Sequence, residues 1–263
     1  VRLVGSEMCI RDRHKKTFDY IFNKTEAITL EQSKLTLSKD ITVLSFSDSS
    51  MVDRNSSIIK VDSGWIVYSK NSESSILSFT SDGQFSGYIG HRGNGPGEYT
   101  SVYDVVVNQK SKVLEVLSDG GIFCYTFGGD FLDKKEVTYP AFSFAIDDRQ
   151  NYWFYVGNNT TYGDAKMICT DENIANVAYY LHQKSNMLPM VENNFGRNGE
   201  WLTFHESLNH DLYTIENGKL DLSYAMDFPN YKLPKKLHEL SGMEVIEELQ
   251  RSNYASIINY LEN

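Results

Sequence analysis

The chain has 263 residues, of which 41% are hydrophobic, 23% charged and 13% aromatic, with 18 glycines and only 5 prolines. That composition belongs to a folded chain and excludes disordered, collagen-like and low-complexity classes. A net charge of −10 argues against attraction to nucleic acid or anionic membranes, and no stretch approaches the roughly 20 apolar residues of a membrane-spanning helix.

Residues 1–13, Val-Arg-Leu-Val-Gly-Ser-Glu-Met-Cys-Ile-Arg-Asp-Arg, read as translated sequencing-adapter sequence and are set aside from fold reasoning. On this reading the natural N-terminus is lost and Cys9 belongs to the foreign segment. Cys124 and Cys169 are then too few for a disulfide framework and are expected as buried thiols. The basic runs Arg11 to Lys16 and Lys232 to Lys236 lack interleaved aromatics and read as solvated segments.

Residues 14–56 are expected to hold lead-in strands. From there to residue 230 an internal repeat carries the fold. Trp65-Ile66-Val67-Tyr68, Val113-Leu114-Glu115-Val116, Trp153-Phe154-Tyr155-Val156 and Trp201-Leu202-Thr203-Phe204 are separated by 48, 40 and 48 residues. Each is followed by a second β-like run: Ile76 to Phe79, Ile122 to Tyr125, Met167 to Cys169 and Leu212 to Ile215. Turn signals come next, at Asp82-Gly83, Gly129-Asp130, Asp171-Glu172 and Asn217-Gly218, mostly residues that tolerate the positive φ of a tight hairpin. A third segment follows each turn, such as Phe85 to Ile89 or Leu220 to Phe228. Upstream lie Ser57 to Val61, Val102 to Val107 and Phe142 to Ile146. Four short strands per 40 to 48 residues define an all-β fold of four-stranded antiparallel propeller blades.

A long β-sandwich also predicts short strands and turns, but gives no reason for tryptophans to recur in register, and they are read as inter-blade core. The same register matches Cys124 to Ile168 and Cys169 to Tyr125, which directs the two thiols to opposite faces of neighbouring blades. Residues 231–263 form a helical connection, with Ser241-Gly242-Met243-Glu244 as a capping box before Val245 to Leu249. A further element starts at Ser256 to Leu261. Four units do not close a ring of usual size, so the chain is expected to be truncated at both ends, with apolar faces unpaired on its terminal blades.

The stretch Gly90-His91-Arg92-Gly93-Asn94-Gly95-Pro96-Gly97-Glu98-Tyr99 follows Asp82-Gly83-Gln84-Phe85. This resembles the six-bladed propellers common in Bacteroidota, related to NHL-like and TolB-like propellers, whose first complete blade runs into a Gly-x-Gly-Pro-Gly-Glu-Tyr loop. The resemblance extends in pattern over residues 17–261 and implies about two further blades. Relatives of this kind are often exported lipoproteins, which implies a periplasmic or cell-surface setting and a full-length form with a lipid anchor. This chain shows no export signal or lipid-bearing cysteine, and carries His91 where the family tends to show other residues.

No phosphate loop, dinucleotide fingerprint, nucleophile elbow or Cys-x-x-Cys pair is present. His205 and His210 are five apart, not the four of a metalloprotease helix, and flank a hairpin. In the glycine-rich loop Gly95, Pro96 and Gly97 set the backbone, which positions Arg92, Asn94, Glu98 and Tyr99 to meet a ligand. The competing reading is that Glu98 and Tyr99 tie one blade to the next. Asp104 lies near the expected channel mouth, where a carboxylate can contribute to Ca²⁺ as in gluconolactonase-like propellers; one carboxylate is far from the 6 to 8 oxygens calcium takes, which favours a hydrogen-bonding role. Asn193, Asn194, Arg197 and Asn198 fall in a connection suited to glycans or peptides, and equally to turns.

The leading expectation is a non-enzymatic binding module for a peptide, glycan or protein partner. Its rivals are a Ca²⁺-dependent hydrolase or lyase with a channel-mouth site, and a structural component of a cell-envelope assembly.

Overall fold

The computed structural model describes residues 8–11, 17–20, 41–45, 52, 56–70, 75–158, 163–182, 193–198, 201–206, 209, 211–227, 235–240 and 243–251. Met8–Arg11 (β1) and Thr17–Tyr20 (β2) form a hairpin. Four successive blades follow. The first comprises Ser57–Val61 (β3), Gly64–Tyr68 (β4), Ile76–Thr80 (β5) and Phe85–Ile89 (β6). The second holds Asp104–Asn108 (β7), Val113–Ser118 (β8), Gly121–Tyr125 (β9) and Phe131–Lys135 (β10). The third holds Ser143–Ile146 (β11), Tyr152–Tyr155 (β12), Met167–Thr170 (β13) and Ala178–Tyr180 (β14). The fourth holds Phe195–Asn198 (β15), Trp201–His205 (β16), Asp211–Glu216 (β17) and Lys219–Asp227 (β18).

Within each blade consecutive strands pair antiparallel, because each connection is short enough to be a hairpin. The turn between β17 and β18 shows why the sequence permits this. Asn217 and Gly218 have φ of 54° and 72°, the pair of positive angles that a two-residue hairpin with the correct twist requires. β1 pairs with the outer strand β18, setting Cys9 opposite Asp227 and Ile10 opposite Met226. The fourth sheet therefore has six strands, and the segment set apart as foreign contributes one of them. Met243–Arg251 (α1) is the expected C-terminal helix; its capping serine and Ser256 to Leu261 lie outside the described residues.

The core is a series of layers between neighbouring blades. Ile66, Tyr68 and Ile76 pack against Val105, Leu114, Val116 and Phe123. Leu117, Ile122 and Cys124 meet Phe144, Ile146, Tyr152 and Phe154. Trp153, Tyr155, Met167 and Cys169 meet Leu202, Phe204 and Ile215. Alternation along each strand sends successive side chains to the layers on its two sides. The outer face of the first blade carries Val67, Leu77 and Phe79, with Leu44 of the lead-in packed on it. Among the described residues no buried apolar cluster joins the fourth blade to the first.

Three expectations are corrected. Trp153 is fully buried between the third and fourth blades, but Trp65 faces away from the second blade, beside Val67, and Trp201 is 65% exposed. Trp65 is offset by one residue in register, which reverses the face of a strand residue; Trp201 lies on the same side of its blade as Trp153, away from Leu202 and Phe204, and among the described residues no further blade covers it. The same offset affects the cysteines. Cys124 and Cys169 both point from their blades toward the next one, not to opposite faces, and the third blade separates the two free thiols. Lastly, Phe195–Asn198 is the innermost strand of the fourth blade, paired with Trp201 to Phe204, rather than part of a connection. Its Phe-Gly-Arg-Asn sequence has low β propensity and is held by its partner strand.

Candidate functional site

The glycine-rich loop is a clasp between the first two blades. Tyr99 is fully buried; its hydroxyl accepts from the Ile76 amide at 3.2 Å and donates to the Ile89 carbonyl at 3.3 Å. The Glu98 carboxylate accepts from the Gly95 amide at 2.8 Å, and the Tyr125 hydroxyl donates to the Gly97 carbonyl at 2.9 Å. Arg92 donates from Nε to the Thr100 carbonyl at 2.8 Å. Gly97 has φ of 74°, and a methyl group there would stand 2.6 Å from the Phe131 ring. Of the residues expected to meet a ligand here, Tyr99 is built into the clasp and Glu98 braces the loop from within, while Arg92 and Asn94 remain exposed.

Each blade interface also holds a buried carboxylate neutralised by a lysine. Asp104, at the start of β7, pairs with Lys70 of the first blade at 2.8 Å. It also accepts from its neighbour Val105 N at 3.0 Å and from Phe144 N of the third blade at 3.1 Å. Burial pushes the Asp104 carboxyl up from its ordinary range, against the opposing charge of Lys70. Between the second and third blades Glu115 is 1% exposed. It accepts from the Tyr152 hydroxyl at 2.8 Å and Asn108 Nδ2 at 3.0 Å, with Lys135 at 3.7 Å. Between the third and fourth, Glu206 accepts from the Tyr155 hydroxyl at 2.7 Å and pairs with Lys166 at 2.8 Å. Sequence reasoning passed over Glu115 and Glu206. A carboxylate inside the apolar run Val113 to Val116 was the available signal for the first, since an unpaired buried charge is not tolerated.

Asn194 is likewise committed: Ser143 Oγ donates to its Oδ1 at 2.8 Å, and its Nδ2 donates to the His205 carbonyl at 3.2 Å. Arg197 reaches from β15 to the third blade, donating to the Ile146 carbonyl and to Asp148 Oδ1 at 3.0 Å.

The innermost strands β3, β7, β11 and β15 line an axial cleft of about 660 Å³. Its polar lining includes Ser56, Ser57, Lys70, Asp104, Gln109, Asn193, Asn194 and Arg197, over walls formed by Ile58, Ile59, Val105 to Val107 and Ala145. The structure thus brings Asp104, Asn194 and Arg197 into one cavity and leaves Arg92, Asn94, Glu98 and Tyr99 out of its lining. Asp104 is the only carboxylate among the described lining residues, which include no histidine. Among the described residues no group of three or more His, Cys, Asp or Glu could hold a metal, so this donor set does not fit the Ca²⁺ expectation. No helix of the described residues is long and apolar enough to cross a membrane.

The fold is similar to that of a protein from Bacteroides fragilis described as exported, with a TM-score of 0.70 at 15% identity, covering 82% of this chain and 64% of that one. A DUF4221 member from Bacteroides vulgatus follows at a TM-score of 0.48 and 10% identity, covering 74% and 64%. The chain therefore spans 64% of the length of both structures. No curated protein matches. The profile described as Domain of unknown function (DUF4934) matches residues 13–263, a span that includes all four blades and the helix after them. The chain belongs to the DUF4934 family.

Proposed function

We propose that the chain is the propeller part of an exported, non-enzymatic interaction module that receives a peptide, glycan or protein segment in its axial cleft. The supporting observation is the cleft itself. Its volume of about 660 Å³ falls within the ~300–1,000 Å³ of ligand sites, and its one carboxylate is spent on Lys70 and two backbone amides. Metal-assisted hydrolysis needs several ligands converging on an open position, and the described lining residues offer one carboxylate. On this reading the native protein is a six-bladed, NHL-like propeller in the periplasm or at the cell surface, lipid-anchored in its full-length form. The exported Bacteroides fragilis protein of similar fold supports the setting.

The test is thermal unfolding of the full-length protein against panels of peptides and glycans, with and without divalent ions, repeated on Asn193→Trp at the exposed cleft lip. A ligand at 100 times its Kd adds about 2.7 kcal/mol of stability, roughly 5–10 °C in Tm for a domain of this size. The variant is expected to abolish the shift. Undiminished binding in Asn193→Trp would overturn the location, and divalent-dependent turnover of a ligand would overturn the non-enzymatic reading.

A further inference from the structure

The polar groups lining the cleft fall into two classes. Lys70, Asp104, Asn194 and Ser56 are consumed by the scaffold. The side chains of Ser57, Gln109 and Asn193 make no hydrogen bond within the described residues, although all three line the cavity. Arg197 uses two of its five N–H donors, on the Ile146 carbonyl and on Asp148. Among the described residues the other three have no partner, and the two contacts hold the guanidinium in place. Arg197 and Lys70 against Asp104 give the lining an excess of positive charge in a chain of net −10. Asp148 lies outside the lining, with a side chain 69% exposed.

The walls add a second constraint. Ile58 is 58% exposed and lines the cavity together with Val106 and Val107 of β7, which are only partly buried, a limited apolar surface that small aliphatic side chains fit. Sugars stack on open aromatic faces, and the described lining residues offer little for that: Tyr68 and Phe144 are 6% and 1% exposed, and half-buried Phe195 packs 5.2 Å from Phe204. A third feature comes from the topology. β3, β7, β11 and β15 each end their sheets, leaving one edge of backbone N–H and C=O groups without a ladder partner, the arrangement to which extended peptides add.

Resting on the interaction reading above, we infer that the cleft takes an extended peptide ending in a free carboxylate. The carboxylate sits on Arg197, whose planar fork matches it. The peptide amides meet Asn193, Gln109 and Ser57, and short aliphatic side chains lie on Ile58 and the β7 valines. β7 spans five residues, about 16 Å of extended chain, so the segment read is about four to five residues long.

The test is fluorescence anisotropy of the full chain with a library of labelled pentapeptides, each as the free acid and as the C-terminal amide, beside oligogalacturonate as an acidic sugar probe. The free acids are expected to bind, with at least tenfold loss on amidation and on Arg197→Lys. Asn193→Ala should weaken binding several-fold at unchanged Tm. Amidation changes the ligand alone, so its effect is independent of protein folding. Equal binding of acid and amide would overturn the inference. Binding of oligogalacturonate but of no peptide would overturn it and leave the interaction module standing; binding by neither, with no ligand in the wider panels, would remove both.

Discussion

Asp104→Ala isolates the ion pair at the cleft mouth. The substitution leaves the Lys70 ammonium, whose side chain is 9% exposed, without its carboxylate, and the Phe144 amide without its acceptor. Breaking a buried pair from one side costs about 3–5 kcal/mol, which corresponds to a fall in Tm of roughly 6–20 °C for a domain of this size. Replacing the pair as a whole behaves differently. Burial outweighs Lys70 in setting the Asp104 carboxyl, which is pushed up rather than down, so the site as a whole disfavours the charge it holds. The double variant Asp104→Leu, Lys70→Met is therefore expected to recover most of the loss, since apolar replacement of a buried pair is often neutral. Thermal unfolding followed by circular dichroism measures both. A single variant within 2 °C of the parent, or a double variant no better than the single, would refute the reasoning.

Trp153→Ala should cost about 3–5 kcal/mol because it empties a fully buried inter-blade site, whereas Trp201→Ala, 65% exposed, should stay within about 0.5 kcal/mol. Urea unfolding of the two variants checks the contrast, and equal losses would refute it. Burial pushes the Cys124 and Cys169 thiols and the Tyr213 hydroxyl up to about 12. The unfolded chain releases those protons near pH 8.5 for Cys and pH 10 for Tyr. Their contribution to stability is full below those values and is lost as pH rises toward 12, by about 1.4 kcal/mol per pH unit for each group in its window. Urea midpoints measured from pH 8 to 11 should fall accordingly. A flat profile, or native-state reaction of both thiols with a disulfide reagent at the unfolded rate, would contradict it.

The blades were legible because each strand alternates residues between two apolar layers and each hairpin carries its own turn chemistry, as at Asn217-Gly218. Register was harder. Trp65 occupies a similar place in its apolar run yet faces the opposite way from Trp153, and a shift of one residue in strand position is invisible in spacing alone; Trp201 faces the same way as Trp153 but has no described blade over it. β15 was missed because Phe195-Gly196-Arg197-Asn198 lacks the β-branched residues that mark a strand, and owes its conformation to pairing with β16. In the glycine-rich loop, chemistry suggested both a ligand site and a tie; the buried hydroxyl of Tyr99 assigns that residue to the tie, while Arg92 and Asn94 stay exposed. For the cleft, Asp104, Asn194 and Arg197 stood out by residue type. Whether a polar group is spent or available depends on partners forty or fifty residues away, as for Ser143 and Asn194, and this left Ser57 and Gln109 unremarked.

Layers between adjacent blades make stability a sum of blade terms and nearest-neighbour interface terms, and such an array can fray from its ends one unit at a time. Asp104 departs from that rule. A single carboxylate receives Lys70 from the first blade and Phe144 N from the third while belonging to the second, so it adds a next-nearest-neighbour coupling. That coupling should make the first three blades unfold together, with the fourth, held to the third through an apolar layer and through Glu206, Asn194 and Arg197, expected to come away first in native-state hydrogen exchange.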